Sequence, residues 1–187
     1  MNQASARVAL AAVALAGLSC AAQAGIVSSG SFTLPGTWLF DFDAGVLVDS
    51  HGTPADIWWE QINPSTRQVV VDGTASIASL GSIDFNAFAY DELAALSYSN
   101  MTLNGSDVGN ILLPGYVFAI HTDLDNYAKI RVTAEFDRTK NNGLVFDWVT
   151  YSIPSPASAS TLALAAFAGL RRRRALRDCR ILRHCGA

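Results

Sequence analysis

Tyr116-Val117-Phe118-Ala119-Ile120-His121-Thr122 is an apolar run that ends in Asp123-Leu124-Asp125-Asn126; beyond it Ala128, Ile130, Val132, Ala134 and Phe136 alternate with Lys129, Arg131, Thr133 and Glu135. A period of two places one set of side chains inward and the other in water, as in a half-buried antiparallel strand. The polar stretch Asp137-Arg138-Thr139-Lys140-Asn141-Asn142-Gly143 then turns the chain into Leu144, Phe146 and Trp148, which share a face. Three strands joined by two polar loops make a meander.

Earlier segments follow the same scheme. Trp38 to Asp43 precedes Ala44-Gly45, Val46 to Asp49 precedes Ser50-His51-Gly52-Thr53-Pro54, and Asp56 to Ile62 and Arg67 to Val71 follow. One short helix is expected around Asp91-Glu92-Leu93-Ala94-Ala95-Leu96, with acids in its first turn to suit the helix dipole. The expectation is an all-β domain, an antiparallel sandwich or barrel-like fold of about seven to nine short strands with that one helix.

Residues 25–153 hold 15 acidic and 5 basic residues, a net charge of 5 − 15 = −10, and 17 aromatic residues. That aromatic content argues against disorder. The negative balance leaves no basic face for phosphates, so no nucleic-acid partner is expected.

Both ends differ in composition from this middle. Residues 1–24 have Arg7 near the start, an apolar run from Val8 to Leu18, and Ala22-Gln23-Ala24 before Gly25. A cationic start, an apolar stretch and small residues at −3 and −1 describe a secretory signal peptide, so cleavage by signal peptidase is expected between Ala24 and Gly25. Gly17 stands where a lipobox needs a large aliphatic residue, which argues against a lipoprotein at Cys20. At the other end, Pro154-Ser155-Pro156 precedes an Ala/Leu-rich segment to Leu170 and then Arg171-Arg172-Arg173-Arg174. The 18 residues from Ile153 to Leu170 are close to the minimum for a membrane span, and the arginines suit the cytoplasmic side. Segment 154–174 therefore reads as a transmembrane helix with a basic stop, and 175–187 as a basic cytoplasmic tail.

The order of these parts resembles the PEP-CTERM sorting signal of bacterial exosortase substrates. In that family a Pro-Glu-Pro motif precedes a short transmembrane helix and an Arg-rich end; here Pro154-Ser155-Pro156 lacks the acidic residue, and Ala175 to Ala187 extend past the arginines. The resemblance covers about the last 35 residues. It implies an exosortase-like sorting enzyme as partner, an anchored stage in the inner membrane, and delivery to the cell envelope, the surface or an extracellular polysaccharide matrix. Cys179 and Cys185 beside His184 make a poor metal site, since two thiols and one imidazole fall short of the usual four ligands. Removal of both ends would leave a domain without cysteine, held by its core alone.

The middle contains two histidines, His51 and His121, and none of the short motifs of zinc proteases, serine hydrolases or phosphate-binding loops. On an extended chain His121, Asp123 and Asp125 share a face, where one imidazole and two carboxylates would converge on a cation. The same residues suit an Asp/Asn-rich hairpin turn. Asp41-x-Asp43 with Asp49 offers oxygen ligands for calcium, or else solvated strand-edge acids. In Trp58-Trp59-Glu60 adjacent side chains face opposite ways, so one Trp suits the core and the other a sugar-stacking platform, with Glu60 or Gln61 supplying hydrogen bonds. The simpler alternative covers that second Trp with other parts of the fold.

The expectation is an exported, non-enzymatic structural or adhesive β-domain with no cofactor, no metal and no catalytic residues. A carbohydrate-binding module comes second, and a small secreted hydrolase built on His51 or His121 third.

Overall fold

The computed structural model describes residues 24–49, 51 and 54–154. The signal-peptide reading of 1–23 and the sorting residues Ser155, Pro156 and Arg171 to Arg174 lie outside them. The described β-domain forms a compact unit over Ala24–Ile153. Among the described residues, no helix is long and apolar enough to cross a membrane.

The alternating stretch at 116–151 becomes the centre of one sheet. Strands β8 (Tyr116–His121), β9 (Tyr127–Val132) and β10 (Leu144–Tyr151) form an antiparallel meander, flanked by β1 (Ile26–Leu34) on β10 and β6 (Ser76–Ser82) on β8. The other sheet runs β3 (Val46–Val48), β2 (Leu39–Asp41), β4 (Ile57–Asn63), β5 (Thr66–Val71), β7 (Leu103–Asn104). These ten strands make an all-β sandwich of two five-stranded antiparallel sheets. Phe40 is fully buried, with its ring 5.3 Å from Phe32, 5.0 Å from Phe42, 5.4 Å from Phe146 and 5.2 Å from Trp148. Trp59, Ile57 and Val69 face Phe118, Ile120 and Ile130 in the same core. Aromatic burial on this scale replaces the disulfides that the domain lacks.

Ten strands exceed the seven to nine expected, and three further features depart from the sequence reading. Strand β9 ends at Val132, leaving Ala134 exposed and Phe136 half-buried. Phe136 folds back at the loop and lies 5.3 Å from the Trp59 ring. Strands β1 and β6 were unread because Ser and Gly interrupt their alternation, and both carry an irregularity of register.

The third departure concerns Lys129, expected in water and in fact 4% exposed. Helix α1 (Tyr90–Ala94) and the short 3-10 turn Phe85–Ala87 cover the outer face of the meander sheet. Small residues make this possible: Ala78 and Ala119 pair across the strands, and Leu93, Phe88 and Leu96 pack over them. Ala119 also pairs with Lys129, which therefore lies beneath the same cover.

Candidate functional site

The strand directions bring three separated loops to one end of the sandwich. After β2, the turn Asp41 to Gly45 is set by the Asp41 carboxylate, whose Oδ1 accepts from the Asp43 N–H (2.8 Å) and the Ala44 N–H (2.9 Å). Gly45 completes it at φ +70°, where a side chain would be strained and its Cβ would meet the Trp148 ring at 3.0 Å. Asp56 stands just before β4. Its Oδ2 accepts from the Phe42 N–H (2.7 Å) and its Oδ1 from the Asp123 N–H (3.0 Å). Phe42 belongs to one sheet's turn and Asp123 to the β8–β9 turn, so a single carboxylate ties the two sheets together.

Asp41, Asp43 and Asp56 are all buried, and one carboxylate oxygen from each lies within 4.8 Å of the others. Asp43 Oδ1 accepts from the Asn126 amide at 2.8 Å, while its Oδ2 is shut from solvent without a hydrogen-bond partner among the described residues. Asp123 borders the group, and its Oδ1 is likewise buried and unpartnered. At this range two unit charges repel by on the order of 3 kcal/mol even at an effective dielectric of 20. Burial pushes the Asp56 pKa up to about 7; the N–H groups of Phe42 and Asp123 oppose this, and the charges of Asp43 and Asp123 add to it. Burial also raises Asp123, reinforced by the charges of Asp43 and Asp41. The donors are carboxylate oxygens throughout, a set that suits hard cations such as calcium.

Neither sequence trio forms as read. His121 stacks on Tyr127 at 4.7 Å and has Asp125, 80% exposed, at 3.5 Å from its Nε2, while Asp123 donates its backbone N–H to Asp56. Asp125 adopts φ +61° in a turn held by Thr122, whose Oγ1 accepts from the Asn126 N–H at 3.1 Å. Asp49 is exposed and outside the carboxylate group. Sequence reasoning held Asp41 and Asp43 in one set and Asp123 in another, and missed Asp56, which carries no local motif.

The aromatic candidates also separate. Trp59 is fully buried and donates its indole N–H to the Asn142 carbonyl at 2.9 Å. Trp58 lies half-buried on the opposite face, edge-on to His51 at 4.8 Å. Glu60 accepts from the Gln68 amide on the neighbouring strand. His51 also pairs with Asp72 at 3.0 Å.

No protein-family model matches the chain, and no curated protein matches it. Among solved structures, an apo HmuY analog from Tannerella forsythia is similar at 14% identity and a TM-score of 0.41, over 67% of this chain and 97% of that one.

The opposite end of the sandwich holds a cleft of about 430 Å³ lined by Arg67, Asp107, Leu112, Glu135, Phe136 and Arg138, among others. Arg67 is buried there and fully engaged: it donates to the carbonyls of Pro64 and Gly105, pairs with Asp107, and lies 4.9 Å over the Phe136 ring. The Arg67 guanidinium thus has its partners within the cleft, whereas Asp43 Oδ2 and Asp123 Oδ1 at the carboxylate end have none among the described residues.

Proposed function

We propose that the chain is an exported, non-enzymatic β-sandwich of the cell envelope or surface, acting as a structural or adhesive module associated with extracellular polysaccharide. In this reading signal peptidase removes the leader, the C-terminal segment holds the protein in the inner membrane, and an exosortase-like enzyme sorts it. The observation that carries the reading is how the sandwich closes. Strands β1 and β10 pair from Ile26–Tyr151 to Leu34–Leu144, and the Ser152 N–H donates to the Gly25 carbonyl at 2.8 Å. Among the described residues every strand lies between Gly25 and Pro154, and the sheet edge β1–β10 closes inside both expected processing points.

A hydrolase draws no support from the geometry, because neither His51 nor His121 hydrogen-bonds a hydroxyl among the described residues. A carbohydrate-binding role draws only on Trp58, whose ring is already engaged by His51.

Intact mass spectrometry of the protein recovered from its native envelope and medium tests the reading. The expected mass runs from Gly25 to a C-terminus near Pro154–Pro156. A mass retaining residues through Ala187 would contradict sorting and leave a tail-anchored membrane protein.

A further inference from the structure

We infer that Asp41, Asp43 and Asp56, with Asp123 beside them, form a binding site for one calcium ion that locks the two sheets together at this end of the sandwich. The inference goes beyond the proposed export and holds whatever the fate of the tail.

A cluster of acids is ordinarily a solvated surface, and two features separate this one. The first is burial: Asp56 is 0%, Asp41 5% and Asp43 9% exposed. Water therefore does little to screen their repulsion. The second is the orphaned Asp43 Oδ2. Asn126 satisfies the other oxygen of that carboxylate, yet Oδ2 is sealed from solvent and accepts nothing among the described residues. Six buried side-chain atoms lack a partner among the described residues, and two of them, Asp43 Oδ2 and Asp123 Oδ1, belong to neighbouring carboxylates at this end. A cation is the partner that resolves this orphan and the mutual repulsion together.

The chemistry of the donors selects among cations. No thiol or imidazole belongs to the group, so the soft and borderline metals have no preferred ligand here. Calcium takes six to eight oxygens in flexible geometry, which suits carboxylates fixed by loop backbone and leaves positions for water. Magnesium demands near-ideal octahedral ligation and is expected to bind more weakly. The ligand loops come from both sheets: Asp41, Asp43 and Asp56 flank β2 and β4, while Asp123 follows β8. Occupancy would therefore couple sheet docking to the calcium concentration outside the cell.

The test uses the native protein stripped with chelator, and the same protein carrying Asp43→Asn. Calorimetric titration with calcium chloride should show one site with a dissociation constant on the order of 10⁻⁴ M, and magnesium should bind more weakly. Calcium at about a hundred times that constant should raise the melting temperature by roughly 8–13 °C. Asp43→Asn should abolish the calcium response and raise the melting temperature of the chelated protein by a few degrees, because its amide replaces a repelled oxygen with a donor. Should that variant fail to fold, Asp123→Asn is expected to weaken calcium binding at least tenfold. Absence of calcium binding to the wild-type chain up to about 10 mM, beyond the range of extracellular calcium modules, would overturn the inference. So would unchanged calcium affinity in either folded variant.

Discussion

Lys129 and the Asp41/Asp43/Asp56 group are both charges taken out of water, and the fold treats them differently. The Lys129 ammonium donates to the carbonyls of Phe85 at 2.8 Å and Phe88 at 2.5 Å, and lies 4.6 Å over the Phe85 ring. Burial pulls its pKa below the ordinary lysine value, while the charges of Asp84 and Glu92 pull it back. The covering segment thus supplies dipoles, a π-face and opposite charge to a buried cation. At the carboxylate end, backbone N–H groups answer part of the charge, but Asp43 Oδ2 and Asp123 Oδ1 remain unanswered among the described residues. Burying a charge is tolerable when its partners come with it. The contrast is between a buried charge satisfied within the chain and a buried group that keeps two oxygens unpartnered among the described residues, the feature on which the inferred calcium site rests.

The most severe way to break this comparison is to remove the answered charge. Lys129→Met keeps the volume but leaves the Phe85 and Phe88 carbonyls without their donor, and should cost about 2–4 kcal/mol in urea unfolding. A change within about 0.5 kcal/mol would mean that water reaches those carbonyls. Asp56→Ala comes next. It orphans the Phe42 and Asp123 N–H groups, with an expected loss of about 2 kcal/mol in calcium and a smaller loss in chelator, where removal of one repelled charge compensates. Equal losses in both conditions would reduce Asp56 to a backbone staple. Asp43→Asn sharpens the comparison by reversing the sign, stabilising the chelated protein by about 1 kcal/mol because a buried acceptor becomes a donor.

The smallest effect belongs to a half-exposed pair that serves as the reference. Asp147 accepts from Ser31 Oγ at 2.5 Å and from Arg131 Nη2 at 2.6 Å. Burial raises its pKa, yet these two donors outweigh it and hold the carboxyl below the ordinary value. Its contribution is therefore present above the unfolded value of about 4 and is lost as the pH falls through the folded one. Asp147→Asn should flatten that acid limb by less than about 1 kcal/mol and leave the calcium response untouched. A larger effect would place the strand pair, and not the buried charges, at the centre of the domain's electrostatics.

Legibility followed the range of the interactions. The meander was readable because polar loops separate the apolar run of β8 from the alternating β9 and from Leu144, Phe146 and Trp148 on one face of β10, and the helix because acids gather at its start. Lys129 was misread for the same reason: alternation says which face a residue occupies, but the cover over that face comes from residues 85–96, more than thirty positions away. The carboxylate group was legible only in fragments. Asp41-x-Asp43 is a local spacing, whereas Asp56 and Asp123 reach it through strand pairing in one sheet and packing of the other. Trp58-Trp59 was readable as one Trp in and one out, because a strand imposes that alternation on adjacent residues. Which of the two is buried followed from the register of β4 on β5, where Trp59 pairs with Val69 in the core.

The measurement that tests the central claim most directly is an anomalous difference map from crystals of the native protein grown with calcium. The account predicts a single strong peak among Asp41, Asp43 and Asp56, with carboxylate oxygens, Asp43 Oδ2 included, at about 2.3–2.6 Å. The same map without a peak there, or with a basic side chain of the protein seated against Asp43, would contradict it and show that the buried anions are answered from within the chain.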